Sequence, residues 1–210
     1  IPKDFLLANQ IPSVAETVTK VEIGDAITSI SESAFGDCSS LTSIDIPNSV
    51  TSIGEYVFGG CSGLTNVAIP NSVTNIGNYT FSTCTSLTSC TIGSGVTTIG
   101  NAAFLYCTSL TSITIPDSVT SIGGSAFNGC TSLTSVTIGS GVTSIGIRAF
   151  YSCYNLTSIT VNVTTPPTLD YFAFDYTNDC PIYVPCESLD TYKSASGWST
   201  YASRITCIEP

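Results

Sequence analysis

The sequence predicts an α/β repeat solenoid, mostly β and irregular, because one pattern recurs at a fixed interval along most of the chain. Six cysteines stand 23 residues apart, at Cys38, Cys61, Cys84, Cys107, Cys130 and Cys153. Six phenylalanines keep the same interval three residues earlier, at Phe35, Phe58, Phe81, Phe104, Phe127 and Phe150. A period of about 20–50 residues is typical of chains in which one supersecondary unit is stacked many times.

Each unit is predicted to open with a β-strand. The unit 110–132 begins Leu110-x-x-Ile113-x-Ile115, and the same apolar positions recur in the other units. Residues four and six of the unit alternate with the period of a strand and therefore face the core, whereas residues three and five face away. The strands of successive coils must then pair in parallel.

The remainder of the unit has room for a turn and a return segment. Residues 116–118 form the turn, and residues 119–122 form a second short extended piece with its valine and isoleucine inward. Gly123 bends the chain, which requires either a positive φ or a close backbone approach. Residues 126–130 are too few for a stable helix, so we expect a short helical turn that carries Phe127 and Cys130 into the core.

This unit resembles the leucine-rich repeat, in particular the 23-residue type of the BspA-like (bacterial surface protein A-like) family. The shared consensus is L-x-x-I-x-I-P-x-S-V-x-x-I-G-x-x-A-F-x-x-C, and it is matched over residues 18–178. The resemblance implies a right-handed superhelix with a parallel β-sheet on its concave face. It also implies an exported bacterial surface protein, since members are commonly surface-exposed and some bind host matrix proteins such as fibronectin and fibrinogen.

We expect one domain overall, with a cap at each end. Residues 1–17 are predicted to form an N-terminal cap, 18–178 seven repeats of which the last is irregular, and 179–210 a final strand and a C-terminal helical cap. An insertion near Pro166 and a later deletion should cancel, which returns Ile182 to the strand position of Ile159. Trp198 suits a cap over the open end of the stack better than an aromatic platform for a sugar.

The charge distribution excludes several partners. The formal net charge is −10 and only five residues are basic, which argues against nucleic acid, because phosphates require clustered Lys and Arg. No apolar run is long enough to cross a membrane, so no membrane insertion is expected. The chain begins with Ile1, and we expect a targeting segment to have been removed and the protein to be secreted or on the cell surface. We expect a monomer.

Catalytic and metal chemistry are not expected. The chain has no histidine, which removes the usual general base and the Ser–His and Cys–His arrangements, and it has no C-x-x-C pair for zinc. Asp170, Asp175 and Asp179 lie near one another in the irregular coil, where solvation of a turn and the cap is preferred to a glycosidase pair. We therefore predict no enzyme activity, no cofactor and no metal.

Most of the ten cysteines are predicted to be buried and free. The six cysteines of the repeat occupy one inward column, in which a thiol acts as a small apolar group. Cys90 replaces an Ile or Val at a strand position and is assigned to the core. Among the cysteines outside the repeat, Cys186 and Cys207 are the candidate pair for a disulfide within the cap, and their redox state is left open.

The predicted binding surface is the outward side of the first strand of each unit. Positions three and five would line the concave sheet as a strip of short hydroxyls, each both donor and acceptor. The tentative site comprises Ser89, Thr91, Ser112, Thr114, Ser135, Thr137, Ser158 and Thr160. The first hypothesis is a non-catalytic adhesion module for an extracellular protein or glycoprotein, and the alternative is a structural spacer of a larger surface protein with no ligand of its own.

Overall fold

A computed structural model describes residues 17–207, which form a stack of coils that each run through three faces. One face carries the longer strands, a second carries two-residue strands, and the third carries the turns around each phenylalanine. We call them the long-strand face, the short-strand face and the turn face. All strand pairs within residues 17–207 are parallel, and the parallel-strand solenoid predicted from the sequence is confirmed.

The long-strand face holds nine strands in the described part of the chain, one or two more than the sequence pattern indicates. They are β1 (Lys20–Glu22), β3 (Ser43–Asp45), β5 (Asn66–Ile69), β7 (Ser89–Ile92), β9 (Ser112–Ile115), β11 (Ser135–Ile138), β13 (Ser158–Val161), β15 (Ile182–Val184) and β16 (Ile205–Cys207). In most of them the alternation is as predicted: Ile113 and Ile115 are buried, while Ser112 and Thr114 are exposed.

Ladder hydrogen bonding on this face is interrupted between β3 and β5 and between β7 and β9. At both places the coil that follows begins its turn with a proline, Pro70 or Pro116, which has no N–H to donate. In later coils Gly139 and Asn162 fill that position, and their N–H groups donate to Ile115 and Ile138 at 2.9 Å. Proline at this position removes one ladder hydrogen bond but does not by itself end the pairing, because Pro47 and Pro185 fill it where β1 pairs with β3 and β13 with β15.

The short-strand face is one seven-stranded sheet whose strands lie next to one another in chain order. Its strands are β2 (Ser29–Ile30), β4 (Ser52–Ile53), β6 (Asn75–Ile76), β8 (Thr98–Ile99), β10 (Ser121–Ile122), β12 (Ser144–Ile145) and β14 (Thr168–Leu169). The register advances by 23 residues until Ser144, which lies opposite Thr168, one residue further on. Ile159 lies opposite Ile182 at the usual interval, so the extra residue near the prolines is compensated as predicted.

The turn face consists of consecutive hydrogen-bonded turns rather than the short helical turns expected. Successive N–H groups donate alternately to the next coil and to their own coil. Phe81 donates to Ala103 of the next coil at 2.7 Å, whereas Ser82 donates to Tyr79 of its own coil at 3.0 Å. This alternation requires left-handed backbone at Tyr79 and Thr83, both at φ 56°. Such a conformation costs a non-glycine residue about 1–3 kcal/mol and persists only where the surroundings fix it.

The glycine that ends the second strand is required by close approach and not by a positive φ. A Cβ atom added to Gly123 would lie 2.5 Å from the carbonyl carbon of Gly100 in the preceding coil. Neither glycine has a positive φ. Any side chain at this position would push neighbouring coils apart.

A column of stacked phenylalanine rings forms the centre of the core. Neighbouring ring centroids from Phe35 to Phe174 lie 5.1–5.6 Å apart, with interplanar angles of 4–15°. The column of cysteines lies beside it, and its thiols are free, in line with the sequence. From Cys61 onwards each thiol of the column also donates to the phenylalanine carbonyl of the preceding coil, as Cys84 does to Phe58 at 3.1 Å. Cysteine here is both a small apolar group and a hydrogen-bond donor.

The C-terminal end of the phenylalanine column is closed by aromatic residues of the predicted cap. The cap contains a 3-10 helix (Cys186–Ser188), the helix α1 (Leu189–Ser194) and a second 3-10 helix (Trp198–Tyr201). Trp198 is fully buried, packs on Phe174 at 5.7 Å and donates its Nε1–H to Pro167 O at 2.7 Å. It is a cap residue and not a sugar platform. Residues 1–16, which include almost all of the predicted N-terminal cap, lie outside the described residues.

Two further contacts hold the last coil. The Arg204 guanidinium donates to Cys180 O and to Thr177 Oγ1, both at 2.8 Å, which satisfies acceptors that have no following coil. The structure joins Cys186 to Cys207 by a disulfide, with a Cα–Cα distance of 4.6 Å. Cys207 ends β16, which pairs with β15.

Removal of one ring from the phenylalanine column is expected to unfold neighbouring coils as well. Phe104→Ala should lower the free energy of unfolding by about 3–5 kcal/mol, because it leaves a cavity between two stacked rings. The measurement is urea unfolding followed by circular dichroism. Tyr106→Ala, in the same coil but half exposed, is the matched control and should change the stability far less. Equal stability of Phe104→Ala and wild type would contradict the assigned core.

Candidate binding face

The eight residues predicted as a binding site lie on four neighbouring strands of the long-strand face. Register places them in two straight columns: Ser112, Ser135 and Ser158 are aligned with one another, as are Thr114, Thr137 and Thr160. Ser89 and Thr91 of β7 continue the columns, although the ladder is interrupted between β7 and β9. The side chains on β7 and β9 are exposed, and those on β11 and β13 are half-buried.

These hydroxyls differ from the threonines at position two of each unit. The position-two hydroxyls are used by the fold: Thr111 Oγ1 donates to Thr88 O at 3.2 Å and Thr134 Oγ1 to Thr111 O at 2.9 Å. In the described part of the chain, none of the eight predicted site hydroxyls has a hydrogen-bond partner within the protein. Their hydrogen-bonding capacity is therefore available to solvent or to a ligand.

The columns extend beyond the residues that the sequence singled out. Tyr183 on β15 lies opposite Thr160, and Thr206 on β16 lies opposite Tyr183. Tyr183 could have been assigned to this column from the sequence, because it directly follows Ile182, which returns to the strand position of Ile159. At the other end the column holds Asp45 and Glu22, so its character changes from acidic to neutral along the stack.

A shallow groove of about 380 Å³ opens at the break between β7 and β9. Its lining includes Ser89, Thr91, Ser112, Thr114 and Cys90. Cys90 packs against the core but is only half-buried, which corrects its assignment to the core. The reason is size, because a thiol at a position that Ile or Val fills in other coils leaves the groove open.

The acidic residues of the irregular coil have structural contacts. Asp175 accepts a hydrogen bond from the Tyr201 hydroxyl at 2.6 Å, which fixes the second 3-10 helix of the cap. Asp179 lies 3.9 Å from Arg204, with its side chain almost fully exposed. Within residues 17–207, no group of three or more Cys, Asp or Glu side chains is placed to hold a metal ion. The same residues contain no helix with the length and hydropathy needed to cross a bilayer.

The column of thiols is electrostatically inert at neutral pH. Burial raises the pKa of Cys38 to about 11, with a smaller contribution from the Asp37 carboxylate, and burial raises the pKa of Cys84 and of Cys153 to about 12. A nucleophilic cysteine needs the opposite shift, since the thiolate is the reactive form. The column therefore serves packing.

These raised pKa values predict a specific loss of stability in alkali. A thiol ionises near pH 8.5 in the unfolded chain but stays protonated in the folded chain to about pH 12. The unfolded state therefore loses protons first, so the thiol contribution is complete below about pH 8.5 and falls as the pH rises towards 12.

The test is urea unfolding of wild type and of Cys84→Ala at pH 7 and pH 10. The variant should be less stable at pH 7, because a buried group is lost, yet lose less stability between the two pH values. Tyrosines titrate in both proteins and cancel in the comparison. Equal losses in the two proteins would show that the buried thiol does not govern the alkaline transition.

Comparison with known proteins agrees with this fold. The family model described as "BspA type Leucine rich repeat region" matches six copies, over residues 14–115 and 97–196. No curated protein matches the chain. Among solved structures, a leucine-rich repeat protein of T. pallidum is 30% identical with a TM-score of 0.65; the match covers 68% of this chain and 72% of that one.

A leucine-rich repeat protein of Eubacterium ventriosum is 26% identical with a TM-score of 0.68, and the match covers 76% of this chain but 43% of that one. The family model spans far more than half of the sequence, and the T. pallidum protein shares the fold over most of its own length. The chain therefore belongs to the BspA-type leucine-rich repeat family.

Proposed function

We propose that this chain is a non-catalytic recognition module that binds an extracellular protein or glycoprotein through its long-strand face. The observation that supports this most directly is the contrast between two sets of hydroxyls. Those at position two are hydrogen-bonded to the preceding coil, whereas the eight on the outward side of β7, β9, β11 and β13 have no partner within residues 17–207.

The geometry of the face suits an extended ligand. Nine strands at a pairing distance of about 4.8 Å form a strip about 38 Å long. From β7 to β13 the strip carries no charge, so binding would rest on many hydrogen bonds to hydroxyls. Because the strands are fixed by neighbouring coils, little conformational entropy is lost when a ligand binds.

The proposal includes the place and state in which the module acts. Its family relationship favours a secreted or cell-surface protein, and its charge of −10 disfavours nucleic acid as a partner. The proposal takes the module to act as a monomer and without a cofactor.

A second candidate function is that of a spacer in a larger surface protein. The uniformity of the central columns favours it, since β9, β11 and β13 all present serine at position three and threonine at position five. A spacer needs only the rigid stack and would bind nothing on this face.

Two arginines placed on the strip should abolish recognition without unfolding the protein. Thr114→Arg with Thr137→Arg puts two long cations on aligned, outward positions of β9 and β11. The measurement is surface plasmon resonance against immobilised fibronectin, fibrinogen and mucin. We expect saturable binding of wild type and a loss of at least about tenfold in the variant, or about 1.4 kcal/mol.

The matched control is Ser121→Arg with Ser144→Arg, which adds the same charge to aligned positions of the short-strand face. This control should bind as wild type does. Equal binding by both arginine variants would move the site away from the long-strand face. Absence of binding to all three ligands would favour the spacer.

A further inference from the structure

A second surface, on the turn face near the C-terminal end, carries a cluster of exposed aromatic rings. We call it the aromatic patch, and its members are Arg148, Tyr151, Tyr154, Tyr171, Phe172 and Tyr176. Tyr171 is 79% exposed, Tyr176 62%, Tyr154 54% and Phe172 48%. Single exposed apolar side chains are ordinary, but a contiguous group marks a surface that meets something other than water.

The rings form one continuous surface. Tyr176 lies edge-on to Tyr151 with centroids 5.0 Å apart, and Tyr154 lies 6.5 Å from Tyr176. Tyr171 and Phe172 form a second pair at 6.3 Å. The Arg148 guanidinium joins the two groups, because its carbon lies 5.5 Å from the centre of the Tyr151 ring and 5.7 Å from that of Phe172.

The other coils demonstrate that the fold does not need these side chains. The position of Arg148 and Phe172, two residues before the column phenylalanine, is held by a small residue in three other coils and by tyrosine in two, namely Ser33, Ala102, Ser125, Tyr56 and Tyr79. The position of Tyr154 is held by serine or threonine in every earlier coil, namely Ser39, Ser62, Thr85, Thr108 and Thr131. The same turns form with small polar residues, so the rings are not there for stability.

The local backbone makes the aromatic choice less favourable still. Arg148, Phe172 and Tyr176 have φ of 55°, 62° and 56°, in the left-handed region. The position of Tyr176 is held by glycine in two other coils, Gly60 and Gly129, which adopt such angles at little cost. A bulky residue here carries a local penalty that glycine avoids, and Tyr56, Tyr79 and Tyr106 carry the same penalty in earlier coils.

The patch also presents a cation that lacks a carboxylate partner. The ion pairs of residues 17–207 are Lys20–Glu22 and Arg204–Asp179, and Arg148 belongs to neither. In a chain of net charge −10, an arginine held only between two rings is available to an anionic group.

A cleft of about 490 Å³ adjoins the patch, between the turn face and the C-terminal cap. Tyr171 and Phe172 belong to both the patch and the cleft. The polar groups in the lining of the cleft are the hydroxyls of Ser196 and Thr200, the Tyr201 hydroxyl, and the carboxylates of Asp170 and Asp175. Its volume is in the range of small-ligand sites, which combine apolar walls with a few polar groups that fix orientation.

We propose that the aromatic patch and the adjoining cleft bind an acidic oligosaccharide. The C–H faces of pyranose rings pack against the exposed faces of Tyr171, Phe172 and Tyr176, since the negative face of an aromatic ring attracts polarised hydrogens. Sugar hydroxyls are held by the polar groups of the cleft, and the carboxylate or sulfate of the sugar binds Arg148. This site is on a different face from the long-strand site and does not depend on it.

The chemistry of the patch favours a saccharide over other ligands. A nucleic acid would need several cations, and the patch has one. A protein hot spot is a dry apolar centre, whereas here a cleft lined with hydroxyls and carboxylates lies directly beside the rings.

The experiment is isothermal titration calorimetry of the whole chain with hyaluronan, oligogalacturonate and heparin hexasaccharides. The neutral hexasaccharides maltohexaose and cellohexaose are measured for comparison. The variants copy residues that other coils already use: Phe172→Ser, Tyr176→Gly and Arg148→Ser. Tyr79→Ser is the matched control, because Tyr79 is 47% exposed at the same repeat position but three coils away from Arg148.

We expect saturable binding of at least one acidic hexasaccharide, weakened about tenfold or more by Phe172→Ser and by Tyr176→Gly and unchanged by Tyr79→Ser. Arg148→Ser should remove the preference for acidic over neutral saccharides. Thr114→Arg with Thr137→Arg should bind the saccharide normally, which separates this site from the long-strand face. Circular dichroism and unfolding curves confirm that each variant is folded.

Three results would overturn the proposal. One is the absence of binding to all three acidic hexasaccharides at millimolar concentration. Another is binding that the patch variants leave unchanged. The third is equal affinity of wild type for acidic and neutral saccharides, because it would remove the role of Arg148.

Discussion

Contact between one coil and the next is the constraint on which every part of this molecule depends. A coil of 23 residues has only a few apolar side chains and cannot enclose them alone. Its neighbours supply the other surface, through stacked rings such as Phe81 and Phe104, whose centroids lie 5.2 Å apart. Hydrogen bonds between coils run along all three faces, so a substitution in one coil also changes the stability of the next.

This constraint makes the ends of the stack critical. After Phe174 no further phenylalanine follows, and Trp198 takes that place with its ring fully buried. Arg204 provides donors for carbonyls that have no following coil, and the Cys186–Cys207 disulfide joins the start of the first 3-10 helix of the cap to the end of β16. In the cap, Trp198 therefore makes the contact that a phenylalanine makes within the repeat, and the Arg204 side chain takes the part of backbone donors from a following coil.

The same constraint explains what could be predicted from the sequence. The period alone determines parallel pairing, the inward column of Phe104 and Cys107, and the return of Ile182 to the position of Ile159. The orientation of Thr114 and Thr137 follows from strand alternation, while their role in binding stays a prediction. Strand β16 was not predicted, because Ile205–Cys207 lies outside the consensus.

Other features could not be predicted because they arise only when coils meet. Nothing in the residue preferences of Tyr79 or Thr83 indicates a left-handed backbone; bonds to the next coil select it. The thiol of Cys84 gains its acceptor from the preceding coil. The aromatic patch could not be predicted because its rings occupy surface positions that vary from coil to coil, and only the stacking of two successive coils brings them together.

Residues that recur and residues that depart from the repeat thus carry different information. Recurrent Phe, Cys and Gly build the stack, and the recurrent outward hydroxyls form a uniform strip that the stack leaves unpaired. The aromatic residues around Arg148 belong to neither set, and they distinguish one place on an otherwise regular surface.

The most direct test of this account is native-state hydrogen exchange, followed by NMR, at the amides of Phe58, Phe81, Phe104 and Phe127. Each of these amides donates to the following coil. If coils are stable only against their neighbours, the four amides should exchange with one shared free energy, close to that of global unfolding. Four unrelated free energies, well below that value, would show that coils open independently and would contradict the account.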